Sequence, residues 1–159
     1  MPRTKVHDAA AGRDFTVLVT KNTGLAQETE IYSAGVNLWG QLGHGELTEC
    51  SDFDKIVTLS NLQYQSTSTS PVENVTVEKI SCGLDHCIVY TNMGVMFEWG
   101  CNLKGQLGNK RVTNSENPII IQNFKDRKVI SLKCGQDSSA VVVEEDFQKT
   151  ESSQPKPSS

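Results

Sequence analysis

The hydrophobic pattern along the chain is typical of short β-strands. Stretches of five or six residues either alternate apolar with polar side chains or cluster Val, Ile and Thr, and Gly- or Asn-containing segments separate them. The sequence therefore predicts an all-β fold with one set of strands at 6–10, 15–20 and 31–34, a second at 77–82, 87–91 and 95–99, and the start of a third at 129–134 and 139–143.

A nine-residue motif occurs twice, as GVNLWGQLG and about 65 residues later as GCNLKGQLG. Glycine enters positive φ without steric cost, asparagine hydrogen-bonds its own backbone, and the second leucine is an apolar anchor. The motif therefore predicts a tight structural turn. The residues in question are Gly35, Asn37, Gly40, Gln41, Leu42 and Gly43 in the first copy and Gly100, Asn102, Gly105, Gln106, Leu107 and Gly108 in the second.

A glycine-rich phosphate-binding loop is the competing interpretation of this motif. Such a loop follows a strand, opens a helix and usually carries a Lys beside its last glycine. Polar, non-periodic sequence follows both copies instead, so a structural turn is favoured.

A second unit occurs three times, at Gly12, Gly83 and Gly135, each with Asp two residues later and a predicted strand after that. Cys82 and Cys134 directly precede two of these glycines. The spacing is that of propeller and solenoid repeats. Segments 56–59 and 119–122 follow the two glycine-rich turns and are predicted as fourth strands, which makes each repeat the four-stranded blade of a β-propeller.

Composition and charge narrow the function classes. The chain has 159 residues, 36% of them hydrophobic, which suits one domain with a β-rich core. Its net charge of −4 argues against general nucleic-acid binding. No apolar run is long enough for a membrane span, and no signal-peptide segment follows Met1, so we expect no membrane contact and an intracellular location, cytoplasmic or nuclear.

The candidate chemistry is sparse. Cys82, His86 and Cys87 invite a metal interpretation, but no second ligand pair follows at zinc-finger spacing, and neighbouring strand positions point to opposite faces. We find no Ser/His/Asp set, no paired carboxylates and no nucleotide-binding motif. The sequence therefore predicts no metal, no cofactor, no catalytic residue and no enzymatic activity.

The order of these motifs resembles the repeat of the regulator of chromosome condensation family. The resemblance rests on Cys82-Gly83-Leu84-Asp85-His86, a strand, and then Trp99-Gly100-Cys101-Asn102 with Gly105 to Gly108. It implies part of a seven-bladed β-propeller, with a full repeat at 77–122, a degenerate one at about 5–59 and the start of a third at 129–143. Phe15 and Ser138 stand at the positions corresponding to His86.

The resemblance also implies roles for two side chains. His86 should hydrogen-bond a neighbouring backbone and fix its turn, and Trp99 should pack between blades. Both interpretations are structural, because a lone His without a nucleophile or carboxylate partner is seldom catalytic and a large strand-borne aromatic is best used in packing.

The predicted organisation is a partial propeller over residues 1–146, with a polar, mobile insertion at about 61–74 and a disordered tail at 147–159. About two and a half blades cannot close a ring of seven. We therefore expect the missing blades to come from a longer chain, another subunit or self-association.

Two classes of function follow from this organisation. The first is a non-catalytic protein-interaction or scaffold module, because propeller loops form a rim for protein partners. The second, implied by the resemblance, is part of a guanine-nucleotide exchange factor for a small GTPase. A substrate-recruiting propeller of a ubiquitin ligase is a variant of the first class.

Overall fold

The computed structural model describes residues 4–22, 28–59, 63–64, 73–121 and 127–144. Apart from one turn of 3-10 helix, every regular element in that part of the chain is a β-strand, so the all-β prediction is confirmed. Two four-stranded antiparallel sheets are followed by a two-stranded one, and a pair of two-residue strands lies between the first two sheets along the chain.

The first sheet is a four-stranded meander in the order β1-β2-β3-β4. Its inner pairs are long and regular; Phe15 lies opposite Gly35 and Lys21 opposite Thr29. Its strands are β1 (Thr4–Ala11), β2 (Phe15–Asn22), β3 (Thr29–Gly35) and β4 (Cys50–Lys55).

The fourth strand of this sheet was predicted in the wrong place. The structure puts it at Cys50–Lys55, before the apolar segment 56–59, whereas Ile56 is buried and Val57–Leu59 form the 3-10 helix. The four central residues of β4 are exposed at the outer edge of the sheet. An edge strand with little burial leaves no hydrophobic pattern in the sequence.

The predicted insertion at 61–74 lies mostly outside the described residues. Two short strands at its ends, β5 (Gln63–Tyr64) and β6 (Glu73–Asn74), pair with each other. Its mobility stays a prediction, and the predicted tail at 147–159 lies outside the described residues altogether.

The second sheet repeats the first, in the order β7-β8-β9-β10. Its last strand begins at Ser115, four residues before the predicted 119–122, and Gln122 lies outside the described residues. Pro118 is tolerated there because this is an edge strand. The strands are β7 (Val77–Cys82), β8 (His86–Thr91), β9 (Met96–Gly100) and β10 (Ser115–Ile120).

The third sheet has two strands within the described residues, β11 (Val129–Cys134) and β12 (Ser139–Val143). They are antiparallel and match β7 and β8 of the preceding sheet, with Cys134 opposite Ser139 as Cys82 is opposite Cys87. The third unit is therefore half a blade where the structure describes it.

Strand β8 lies at the centre of the core. All six of its residues are buried. Cys87 and Val89 pack with Phe15, Val17 and Trp99 towards the first sheet. Ile88 and Tyr90 belong to a second cluster, with Val129 and Leu132 of the third sheet. A strand covered on both faces is apolar throughout rather than alternating.

Candidate functional site

The two glycine-rich turns have the same internal hydrogen bonds. In the first, Asn37 Oδ1 accepts from Leu42 N at 3.0 Å and Gln41 Oε1 accepts from Trp39 N at 2.9 Å. In the second, Asn102 and Gln106 accept from Leu107 N and Lys104 N, both at 2.9 Å. The Asn and Gln side chains therefore hold the turn in shape by accepting hydrogen bonds from its own backbone.

The amide nitrogens of the two asparagines fasten each turn to the loop that follows it. Asn37 Nδ2 donates to Glu46 O at 2.8 Å and to Thr48 O at 3.0 Å. Asn102 Nδ2 donates to Asn109 Oδ1 at 3.0 Å and to Arg111 O. Both asparagines are fully buried, so these bonds satisfy groups that water cannot reach.

The first turn is covered by the second sheet. The Trp99 indole is fully buried, and its Nε1 donates to Gln41 O at 2.8 Å. Gly43 has φ 74°, and a Cβ there would lie 2.9 Å from Trp99 Nε1. Gly45 N donates to Glu116 O at 2.9 Å. Strands β9 and β10 thus close over the turn of the preceding blade.

The second turn meets the third sheet through Ser139. Its hydroxyl donates to Gln106 O at 2.9 Å, the carbonyl that corresponds to Gln41 O. His86 Nε2 lies 3.0 Å from the same hydroxyl. Because the single serine proton is committed to Gln106 O, His86 Nε2–H is the donor of that pair. Ser139 had not been singled out from the sequence.

His86 thus has a side-chain partner, Ser139, that the family resemblance did not imply. Burial lowers its pKa, opposed by Asp137, by the backbone of Ser138 and by Asp85. The imidazole is therefore neutral at physiological pH, which suits a structural connection between two blades.

Glycines of the second repeated unit let aromatic rings lie directly against the backbone. A Cβ on Gly12 would lie 1.9 Å from the Phe15 ring, and one on Gly83 would lie 2.0 Å from the His86 ring. Phe15 and His86 therefore occupy equivalent sites in the two blades. No other residue than glycine fits beneath either ring.

A row of backbone hydrogen bonds joins the three sheets at these turns. Arg13 N donates to Leu84 O, and Leu84 N donates to Gln136 O, each at 3.0 Å. Arg13 also forms an ion pair with Asp85 of the next blade at 2.8 Å. Each blade is thus hydrogen-bonded to the next through residues at equivalent positions.

Glu98 is a buried carboxyl group for which no role was predicted. Aligning the turns places it where the first blade has Ser33, whose hydroxyl donates to Leu42 O at 2.7 Å and lies 2.9 Å from His44 Nε2. Glu98 is fully buried, and neither carboxyl oxygen has a hydrogen-bond partner among the described residues. Burial raises its pKa to about 8, with the Asn109 side chain opposing the rise. A charged residue within the apolar strand MFEWG was the available signal.

Two cysteines of the second sheet lie close together. Cys82 and Cys87 face each other across β7 and β8 with their sulfurs 2.9 Å apart, so these two share a face. Burial, and then Cys82, raise the pKa of the Cys87 thiol. No group of three His, Cys, Asp or Glu side chains within the described ranges is placed to hold a metal ion.

Apolar side chains are exposed at matching positions beside both turns. Leu38 is 63% exposed and its counterpart Leu103 is 53% exposed. In the loops held by the asparagine amides, Leu47 is 52% exposed and its counterpart Val112 is 70% exposed. We call these four residues the rim; they lie at the same end of two neighbouring blades.

No helix in the described part of the chain is long and apolar enough to cross a membrane.

Comparison with known proteins agrees with this architecture. Residues 93–142 match the family model described as the regulator of chromosome condensation (RCC1) repeat. The human RCC1-like G exchanging factor-like protein is 32% identical over 148 residues, which cover 88% of this chain and 30% of that protein.

Solved structures show the same fold. Human WBSCR16 superposes with a TM-score of 0.68 and 27% identity, over 89% of this chain and 32% of that one. Prp20p from Saccharomyces cerevisiae, described together with its binding properties to Gsp1p and histones, superposes with a TM-score of 0.66 and 16% identity, over 89% of this chain and 31% of that one.

The chain spans less than one third of the length of each of these proteins. Its two four-stranded sheets and third half-sheet, its paired turns and its inter-blade contacts form part of a β-propeller. The chain is built from about two and a half repeats of the regulator of chromosome condensation family.

Proposed function

We propose that the chain is a non-catalytic protein-interaction module, and the rim carries this proposal. Four apolar side chains stay exposed at matching positions of two blades, beside turns whose Asn and Gln side chains are buried and hydrogen-bonded and whose second Leu is buried. Exposed apolar groups clustered on a rigid surface are typical of protein-binding sites. The proposed partner is therefore a protein.

The propeller around this rim has to be completed. We propose that the remaining blades come from a longer chain, another subunit or self-association, because the described residues form two blades and half of a third. The rim would then continue around the ring.

The test of the rim is capture of partners on the immobilised chain. Leu103→Ser and Val112→Ser together should deplete the proteins that the chain retains from a cell extract. Val57→Ser is the matched control, because Val57 is 77% exposed and lies outside the rim. All variants should keep their melting temperature, since exposed substitutions change stability by about 0.5 kcal/mol or less. An unchanged set of captured proteins would contradict the role of the rim.

Part of a guanine-nucleotide exchange factor for a small GTPase is the second candidate. The similarity to a protein named as a G exchanging factor-like protein and to Prp20p, described with its binding to Gsp1p, favours it. Nucleotide release from a panel of small GTPases distinguishes the two. An interaction module leaves the release rates unchanged, whereas an exchange factor accelerates one of them. A substrate-recruiting propeller of a ubiquitin ligase would behave as the interaction module does, because the ligase chemistry resides in a separate domain.

A further inference from the structure

Two cysteines of the second blade face each other across neighbouring strands. Cys82 on β7 lies opposite Cys87 on β8, their sulfurs are 2.9 Å apart, and both are free thiols. None of the other three cysteines lies opposite a cysteine in the described strand pairs. The fold thus sets this one pair of thiols against each other.

The backbone around this pair has the geometry that a disulfide bond needs. Gly83 N donates to His86 O at 2.9 Å, directly beside the pair. Hydrogen-bonded and non-hydrogen-bonded pairs alternate along an antiparallel ladder, so Cys82 and Cys87 form a non-hydrogen-bonded pair, whose Cα atoms are about 4.5 Å apart. Disulfide bonds join Cα atoms that are about 4.4–6.8 Å apart. The two sulfurs can therefore be joined without a change in strand register.

The other two repeated units have no such pair at this place. In the first sheet Ala11 lies opposite Thr16, and in the third sheet Cys134 lies opposite Ser139. Neither pair can form a disulfide bond, yet both sheets have the same antiparallel strand pairing. The paired thiols are therefore not needed to build the hairpin, and they give the second blade a chemistry that the other two lack.

The segment between the two cysteines bonds both neighbouring blades. Leu84 O accepts from Arg13 N of the first sheet, and Leu84 N donates to Gln136 O of the third, each at 3.0 Å. His86 Nε2 lies 3.0 Å from Ser139 Oγ. A covalent bond at the base of this segment would therefore restrain the contacts that join three blades.

The two thiols differ in how far a small oxidant can reach them. Cys82 is partly buried, whereas the Cys87 side chain is fully buried in the cluster between the first two sheets. An oxidant from solvent therefore meets Cys82 first. Cys87 then lies against the oxidised sulfur, which is the position of a resolving cysteine.

We propose that Cys82 and Cys87 are a site of reversible disulfide formation, with hydrogen peroxide as the oxidant. The Cys82 sulfur attacks one peroxide oxygen, the O–O bond breaks, and water leaves, which gives a sulfenic acid. The Cys87 sulfur then attacks the Cys82 sulfur, the S–O bond breaks, and a second water leaves. The two thiols lose two electrons, and the peroxide is reduced to two waters. Thiol reductants reverse the reaction by exchange.

The first experiment is mass spectrometry of the full-length chain after treatment with hydrogen peroxide. The remaining thiols are alkylated, and the chain is cleaved between Leu84 and Asp85, which places Cys82 and Cys87 on separate peptides. We expect the chain to lose two of its five free thiols and these two peptides to be linked. Dithiothreitol should restore both thiols.

The test variants are taken from the first blade. Cys82→Ala and Cys87→Thr introduce the residues that the first sheet has at these two places, where its hairpin forms normally. Each variant should abolish the linked peptides. Cys134→Ala is the control and should leave them unchanged, because Cys134 has no cysteine opposite it.

The second experiment compares the melting temperatures of the oxidised and reduced chains. The oxidised chain should melt about 5 °C higher, because the disulfide bond closes a short loop and restricts the unfolded chain. The difference should vanish in Cys87→Thr. Equal melting temperatures of the oxidised and reduced parent chain would contradict the restraint of the hairpin.

The outcomes leave partner capture by the rim untouched, because no rim residue takes part in this chemistry. Oxidation of Cys82 to sulfinic acid without linked peptides would overturn the proposal, since Cys87 would then fail to capture the sulfenic acid. Equal amounts of linked peptides from the folded chain and from the chain unfolded in urea would also overturn it. Short separation in sequence, rather than the folded hairpin, would then bring the thiols together.

Discussion

The two interfaces between successive blades use the same turn in different states. Between the first and second blades, the turn at Gly40–Gly43 is closed by an indole and two strands. Between the second blade and the third, a serine hydroxyl donates to the Gln106 carbonyl of the turn at Gly105–Gly108, and no other described residue lies close above its two glycines. The difference shows that the turn holds its shape through its own Asn and Gln side chains and does not need the cover.

The largest effect that separates the two interfaces should come from Trp99→Ala. The substitution removes a fully buried indole and leaves Gln41 O without its donor. We expect a loss of about 3–5 kcal/mol in the free energy of unfolding. Chemical denaturation monitored by far-ultraviolet circular dichroism measures it. Ile130→Ala in the third sheet is the comparison, and it should lower the free energy of unfolding far less because Ile130 is 53% exposed. Equal losses for the two variants would mean that the closed interface is no more stabilising than the open one.

A matched pair of glycine substitutions tests the cover directly. Gly43→Asn puts a Cβ 2.9 Å from Trp99 Nε1 and should cost about 2–3 kcal/mol, whereas Gly108→Asn meets open space and should cost less than about 1 kcal/mol. The two glycines have similar φ, 74° and 68°, so backbone strain cancels in the comparison. Thermal melting of both variants measures the difference, and equal melting temperatures would contradict it.

Ser33 and Glu98 occupy equivalent positions in the two blades, but only Glu98 can titrate. The stability of the protein should therefore depend on pH. The folded state holds the Glu98 pKa at about 8, whereas in an unfolded chain it would have its ordinary value of 4.5. Between these values the folded protein binds a proton that the unfolded chain has released, so stability falls as pH rises from about 5 to 8. We expect a decline of a few kcal/mol, on the order of 1 kcal/mol per pH unit.

Glu98→Gln keeps the shape of the side chain and removes this titration. Its free energy of unfolding should change less between pH 5 and pH 8 than that of the parent chain, and it should be the more stable of the two at pH 8. Denaturation curves at several pH values measure this. Parallel pH profiles for the two proteins would show that Glu98 does not titrate in this range.

Ser139→Ala tests the open interface itself. The hydroxyl bonds Gln106 O and accepts from His86 Nε2, and its loss should cost about 1–2 kcal/mol. The melting temperature should fall by a few degrees and the His86 pKa should shift, which proton NMR follows. An unshifted His86 resonance would mean that the His86 side chain does not bond the Ser139 hydroxyl.

The sequence predicted the strands well where their apolar side chains are buried and so leave a hydrophobic pattern. The strands β2, β3, β7, β8, β9, β11 and β12 lie near their predicted places, because their side chains pack between sheets. Strand β1 also lies where it was predicted, although most of its residues are exposed. Strand β4 was misplaced because its exposed residues leave no apolar pattern, and the buried Ile56 behind it was taken for the strand.

The contacts between blades were harder to predict than the blades. The turn residues were recognisable from their repetition, but their partners lie about 50 to 60 residues away, as Gln41 does from Trp99 and His86 from Ser139. Ser139 carries no local signal, and the local signal for Glu98 is a single charged residue within the apolar strand MFEWG.

The backbone bonds from Arg13 to Leu84 and from Leu84 to Gln136 give the stack of blades a direction. Each backbone amide donates to the blade that follows it, so the two ends of the row are chemically different. The first end presents the carbonyl acceptor of Arg13, and the last end presents the amide donor of Gln136. A two-fold axis would bring like ends together and mismatch donors and acceptors. A further blade that continued this row would therefore be added head to tail, which is the geometry that a closed ring requires.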